Sequence, residues 1–437
     1  MIPTDTIRQA PKVVLHDHLD GGLRPRTVIE LERETGYDGL PTTDPDELAA
    51  LFTQGANRKS LVLYLEGFEH TVGVMQTAEA IERVAYECAI DLAADGVVYA
   101  EVRYAPELST HTGMALDEVV QAVLRGFGRG EADSGIRMGF IVTAMRQFAR
   151  SVEIAELAVR YRDDGVVGFD VAGPEKGYPP TRYLDAFNLI HQANFHLTIH
   201  AGEAFGLPSI WEALQWCGAH RLGHGVRIVD DITVDPDGQV HMGRLASYVR
   251  DQRVPLEMCP TSNVHTGAVA SIEEHPIDLL RRLRFRVTVN TDNRLMSGVT
   301  MSSEFETLSR VFDFGLDEMQ WLTLNAMKSA FAPFDERLRL INGIVKPGYA
   351  RLIAEFNFAE AAARYCRPGG DLGGELELFF LLLLVAPGRA AFGARLLVRR
   401  QAQDEIRLAP RASRSIHLAL VLHGLRAHRN AQIGPPV

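Results

Sequence analysis

The 437-residue chain is expected to fold as an α/β protein: a (β/α)8 TIM barrel with an extra helical insertion after its first strand and an irregular C-terminal tail. Three observations lead there. Short apolar, β-branched runs recur eight times along residues 12–293, helix-like stretches separate most of them, and polar residues gather where the runs end. Parallel strands need crossover connections, so this alternation implies a parallel sheet, and eight strands are the number that closes a barrel. The alternative is a doubly wound open sheet, which ordinarily carries a glycine-rich phosphate loop after its first strand. Here that strand ends in HDHLDGG instead.

In chain order the runs are KVVLHDH (12–18), GVVYAEVRY (96–104), MGFIVTAM (138–145), VVGFDVAG (166–173), FHLTIHAGE (195–203), RLGHG (221–225), VPLEMCPTSN (254–263) and FRVTVNTDN (285–293). Between the first and second, about 75 residues are too many for a bare loop. Leu61, Tyr64, Leu65 and Phe68 form an apolar helical stripe there, assigned to core or lid packing rather than to ligand contact. Ile81, Val84, Ala85, Cys88, Ala89 and Leu92 define one face of a helix before the second run; Ile154, Leu157, Ala158 and Tyr161 do so before the fourth. Glu101 and Arg103 share one side of the second run and read as a structural ion pair. No internal repeat is visible.

Residues 1–360 are expected to hold the barrel and 361–437 an atypical tail. From Arg367 to Val437 there are ten Arg, no Lys and five acidic residues, so this segment is basic while the remainder is strongly acidic within a net charge of -11. The tail reads as a disordered appendage, an interaction arm, or sequence translated out of frame after a frameshift. At 46% hydrophobic and 23% charged residues the composition is globular and excludes collagen-like and disordered classes. The acidic balance argues against nucleic-acid and anionic-membrane partners. Cys88, Cys217, Cys259 and Cys366 form no CxxC pair, the N-terminus lacks a signal-peptide core, and the apolar run Leu378–Val385 is far shorter than a spanning helix. The expected location is the cytoplasm; the oligomeric state is left open.

The chemistry gathers at the strand ends, the face that carries the active site in a βα barrel. His16 and His18 close the first run, and period-2 geometry aims both inward. His200 and Glu203 close the fifth run, His224 the sixth, Asp292 and Asn293 the eighth. His16, His18, His200 and Asp292 make a three-nitrogen, one-oxygen donor set suited to a single Zn²⁺ per chain. Glu203, three residues past His200, can reach a substrate without binding metal and act as an acid; His224 can take or hold the proton of an attacking water. Asp292 would also hydrogen-bond that water and position it.

LHDHLDG, HAGE, RLGHG, CPTSN and VNTDN, in this order and spacing, resemble the adenosine deaminase family of the metal-dependent amidohydrolase superfamily, over roughly residues 8–355. The resemblance implies a zinc-dependent barrel that hydrolyses the 6-amino group of adenosine and 2'-deoxyadenosine, releasing ammonia. It implies zinc ligands His16, His18, His200 and Asp292, the catalytic acid Glu203 and a water-orienting base at His224. His18 also falls among the substrate contacts it implies, with Asp20 on a ribose hydroxyl, the Gly173 backbone on the purine, and Asn293. Many family members have Asp where this chain has Asn293. An amide donates to purine N7 without needing a proton, so the pH dependence of recognition should soften.

Rival readings stay within reach of particular residues. Adenine deaminases of the superfamily carry Glu where this chain has Asp20, and an AMP deaminase would need a basic phosphate pocket. A deaminase of aminodeoxyfutalosine or methylthioadenosine type stays open, because tolerance of a 5'-substituent depends on loops. A binuclear amidohydrolase would need a bridging Lys, whereas the fourth run ends in Ala172 and Gly173. A cytidine-deaminase zinc site needs a second Cys beside Cys259. A non-catalytic purine-binding protein on the same barrel is the remaining alternative.

Overall fold

The computed structural model describes residues 2–365. Each of the eight runs contains a strand: β1 (Lys12–His18), β2 (Val97–Tyr104), β3 (Arg137–Met145), β4 (Val166–Ala172), β5 (Thr198–Ala201), β6 (Arg221–His224), β7 (Pro255–Met258) and β8 (Arg286–Val289). They pair in parallel as two four-stranded sheets, β1-β2-β3-β4 and β8-β7-β6-β5. Isolated parallel bridges join the sheets at both seams, Phe169 with Leu197 and Asp17 with Asp292. At the second seam the His18 N–H donates to the Asp292 carbonyl (2.7 Å) and the Asp292 N–H to the His16 carbonyl (2.9 Å). The β1–β8 seam is therefore made by the residues that carry the first, second and last expected metal ligands.

The strands are buried along nearly their whole length because helices cover the outside of the ring and side chains fill its inside. Val14 and Leu15 are fully buried, and truncating one such side chain costs about 2–5 kcal/mol. Helix Ala78–Ala94 turns its expected face inward: all six of its apolar positions are buried. It starts where Thr77 accepts a hydrogen bond from the Ala80 N–H. The insertion after β1 is helical as expected, with Pro25–Thr35, Pro45–Ala56, Leu61–Tyr64 and Phe68–Val74. Asp44 caps the second of these by accepting from the N–H groups of Asp46 and Glu47.

Three local expectations change. The seventh run stops being a strand at Met258, because Pro260 opens helix Pro260–His265. A hairpin of Ile232–Val234 with Val240–Met242, turning at Gly238, was not foreseen in its short, mostly exposed segments. Glu101 and Arg103 do not pair with each other. Both point into the barrel, but Arg103 binds Asp170 (3.0 Å) and Glu257 (2.8 Å), while Glu101 binds Arg221 (2.6 Å). A layer of buried charge thus lies inside the barrel, its partners supplied by neighbouring strands.

Met1–Gly348 form one compact unit and Tyr349–Val437 a second. The described part of the second is the later portion of helix Lys346–Tyr365. The atypical tail, with its disordered, interaction-arm and frameshift readings, otherwise lies outside the described residues. No helix among the described residues is long and apolar enough to cross a membrane.

Candidate active site

His16, His18, His200 and Asp292 converge. Asp292 Oδ1 is 3.3 Å from His16 Nε2 and 3.4 Å from His18 Nε2, and His18 Nε2 is 3.2 Å from His200 Nε2. One ligand atom from each of the four lies within 4.8 Å of all the others. His16 Nε2 is buried without a hydrogen-bond partner. Such a cost is ordinarily met by a partner, and a cation at the shared focus would meet it. Asp292 and His224 both hold left-handed backbone, at φ 58° and 63°. For residues with a Cβ this costs on the order of 1–3 kcal/mol and persists where surrounding contacts fix it, as at functional sites.

The imidazoles are oriented from behind. His16 Nδ1 faces Glu257 Oε2 (2.9 Å) and His200 Nδ1 faces Asp170 Oδ2 (3.0 Å), both carboxylates fully buried. A carboxylate can only accept, so each Nδ1 carries the proton and each Nε2 lone pair points to the focus. Ser262 Oγ donates to Asp292 Oδ2 (2.5 Å), leaving Oδ1 for the focus. Asp170, Glu257 and Ser262 were not singled out in the sequence. The first two sit in mid-strand, and a charge inside an otherwise apolar run was the signal for them.

A second cluster, His224, Cys259 and Asp292, also brings ligand-type atoms together. Burial pushes the Cys259 thiol well above its ordinary pKa, and its Sγ lies 3.5 Å from the Glu257 carbonyl as a donor. A protonated thiol is a poor ligand, so the first set is the metal centre to consider.

Glu203 and His224 face each other, 3.6 Å apart. Burial, then the charges of Asp292 and Glu175, hold the Glu203 carboxyl well above the usual range, which favours its protonated form. Thr266 Oγ1 donates to its Oε1 (2.9 Å). Burial and the neighbouring His16 hold His224 well below the ordinary His pKa, so the ring is neutral. Asn263 Oδ1 accepts from the Cys259 N–H (3.3 Å) and faces His275 Nε2 (3.2 Å), which turns its amide N–H toward His224 Nδ1 (3.1 Å). The His224 proton is then on Nε2, on the Glu203 side.

These groups open on a cavity of about 240 Å³ that also takes in Asp20, Gly173 and Asn293. Asp20 Oδ1 and Asn293 Oδ1 are buried without hydrogen-bond partners, and burial pushes the Asp20 carboxyl up to about 7. Gly173 has φ 102°, and Gly21 leaves room for Asn293: a Cβ there would come within 1.9 Å of Asn293 Oδ1. Leu61, Tyr64, Leu65 and Phe68, the stripe expected to be core or lid packing, line the same cavity.

The family model for adenosine deaminase matches residues 11–347. The chain belongs to the adenosine deaminase family. As a member of that family it is a hydrolase of purine metabolism with a metal-capable centre. It is 66% identical over 364 residues to adenosine deaminase 1 of Streptomyces coelicolor, covering 82% of this chain and 92% of that one. An adenosine deaminase of Mycobacterium sp. (strain JLS) is 65% identical over 353 residues, 80% of this chain and 98% of the other. Among solved structures, an adenine deaminase from Arthrobacter aurescens superposes with a TM-score of 0.69 at 26% identity, over 77% of this chain and 98% of that one. A zinc-bound amidohydrolase from Burkhoderia ambifaria gives 0.71 at 23% identity, over 81% and 95%, a likeness of fold. The eight-stranded barrel is thus the family's architecture, and the adenosine deaminase motifs quoted from the sequence all fall at or beside the cavity.

Proposed function

We propose that the protein catalyses the hydrolytic deamination of adenosine and 2'-deoxyadenosine to inosine and 2'-deoxyinosine, releasing ammonia. One observation carries this reading: His18, His200 and Asp292, three of the four convergent metal-type ligands, line the same small cavity as the buried Glu203 carboxyl, Asp20 and Asn293.

His16, His18, His200 and Asp292 would hold one Zn²⁺, the borderline-soft ion that imidazole with one carboxylate suits. The ion supplies Lewis acidity that makes water a nucleophile near neutral pH. Asp292 Oδ2 is engaged by Ser262, so its geometry is fixed while it orients the attacking water. His224, neutral and protonated on Nε2, orients the same water by donation. Glu203 gives its proton to purine N1, which makes C6 electrophilic; water adds there through its oxygen, one of its protons passes to the amino nitrogen, and as the C6–N bond breaks and ammonia leaves, the other returns to the Glu203 carboxylate and C6 keeps the oxygen as a carbonyl. Gly173 presents backbone to the purine, Asn293 a donor to N7, and Asp20, beside His18, an acceptor for a ribose hydroxyl.

Nucleosides fit better than nucleotides. Among the described residues no Lys or Arg lines the cavity, so a 5'-phosphate would find no cationic partner there. The buried Asp20 oxygen favours a sugar-bearing substrate over free adenine. The test follows ammonia release and the ultraviolet change to the 6-oxopurine with adenosine, 2'-deoxyadenosine, adenine, AMP and methylthioadenosine. Adenosine and deoxyadenosine are expected to turn over fastest; faster turnover of adenine or AMP would overturn the assignment. Metal analysis should find about one zinc per chain, and less than half an equivalent would favour a non-catalytic purine-binding protein.

Two variants probe recognition. In Asn293→Asp the new carboxyl donates to N7 only while protonated. KM for adenosine should therefore rise as pH increases through that carboxyl's pKa, a step that the wild type lacks. Unchanged affinity and profile would remove the N7 contact. Gly21→Ala should displace the Asn293 side chain and raise KM about 10-fold, the value of roughly one hydrogen bond, without changing metal content.

A further inference from the structure

Beyond the strand-end residues, the buried acid Glu175 has no role in the reaction as described. Glu175 follows Gly173 by two residues on the loop after β4 and is 4% exposed. Its carboxylate does not enter the cavity lining. It accepts hydrogen bonds instead from four consecutive backbone N–H groups of the next loop: Gly202 to Oε1 (2.6 Å), and Glu203 (3.1 Å), Ala204 (2.7 Å) and Phe205 (2.8 Å) to Oε2. Charge-assisted bonds of this kind are stronger than neutral ones, and successive amides make a concave site for an anion.

The loop so gathered begins at Gly202, whose φ of 76° and close approach to Ile210 (2.5 Å from an added Cβ) leave little freedom. Arg227 closes it from the other side, donating through Nε to the Glu203 carbonyl (2.9 Å) and through its N–H to the Gly202 carbonyl (3.0 Å). Every main-chain polar group of Glu203 is thereby tied, and only its side chain remains to be placed, at Thr266 and opposite His224.

We infer that Glu175 is a positioning residue for the deamination, its carboxylate fixing the 202–205 loop so that the Glu203 carboxyl meets the purine edge. Because Glu175 is two residues from Gly173, the same carboxylate sets the spacing between the loop that presents backbone to the purine and the loop that presents the acid. A carboxylate suits the task because it only accepts: a Gln of equal size would turn an NH2 against some of the four donors. The inference rests on Glu203 acting as the acid.

The test is a double-mutant cycle with adenosine on the metal-loaded protein, using Glu175→Gln, Glu203→Gln and the double variant, with zinc content and thermal unfolding measured for each. Glu175→Gln is expected to lower kcat on the order of 100-fold, the effect of an ångström-scale misplacement, with KM within about threefold and zinc retained. If Glu175 acts through Glu203, the double variant is no slower than Glu203→Gln alone. Multiplying losses, or a Glu175→Gln kcat within twofold of wild type, would overturn the inference. Should Glu175→Gln not fold, Glu175→Asp takes its place in the cycle; it keeps the charge, shortens the reach and is judged by the same non-additivity. Wild-type kcat in Glu203→Gln would instead sink the role of Glu203 itself, whereas loss there with no effect at Glu175 would sink only the positioning role.

Discussion

Glu203→Gln should lower kcat for adenosine by on the order of 10²–10⁴-fold, the usual contribution of a placed proton donor, while leaving metal content intact. The amide keeps the shape of the side chain and its hydrogen bond with Thr266, so adenosine should still bind and KM should change little. Only the transferable proton is lost, and that matters only as the reaction proceeds. In the wild type, burial with the charges of Asp292 and Glu175 raises the acid's pKa well above the usual carboxyl range. The rate should therefore fall as pH rises through that raised pKa and removes the proton; the variant should lose this limb. Steady-state kinetics across pH, with zinc measured on the same samples, decides it. Zinc loss in Glu203→Gln would mean that the residue supports the metal rather than the purine.

The second large effect is expected one layer below, at Glu257. Its fully buried carboxylate receives His16 Nδ1 (2.9 Å), Arg103 (2.8 Å), Arg221 (2.6 Å) and Thr198 Oγ1 (3.0 Å). Glu257→Gln leaves two buried guanidinium groups short of negative charge, and breaking such a pair costs about 3–5 kcal/mol. It also removes the acceptor that fixes the His16 tautomer, which should weaken metal binding about 10–100-fold. Burial opposes ionisation of Glu257, but Arg221 and Arg103 prevail and hold its carboxyl well below the ordinary range. Its stabilisation is therefore complete above the ordinary glutamate pKa and fades only as pH falls through the lowered value. Denaturant unfolding and a competitive metal titration would check both effects. A variant with wild-type stability would mean that the charge layer is dispensable.

Much of the molecule was legible in the sequence because two periodicities coincide with function. Period-2 geometry turns His16 and His18 to the same side, and a barrel exposes strand ends on one face, so His200, His224 and Asp292 could be read as neighbours. What stayed hidden depends on contacts across strands. Asp170 and Glu257 look alike in sequence, as charges in mid-strand, and nothing local says which imidazole each will hold. The Leu61–Phe68 stripe, read as core or lid packing, lines the cavity, which periodicity could not say: it reports that a helix face is covered, not by what. The left-handed backbone at His224 and Asp292 had no signature, since neither is glycine.

The β1–β8 seam has a thermodynamic consequence. Asp17 with Asp292 is the isolated bridge that closes the ring there, and its two hydrogen bonds run between the backbones of His16, His18 and Asp292. Any ion held by those side chains therefore also acts as an extra rung of the ladder, and its affinity adds to the free energy of ring closure. Stripping the metal should lower protection of the His18 and Asp292 amides against hydrogen exchange ahead of those in the β2–β3 pairing. A metal held there would thus also be the clasp of the barrel.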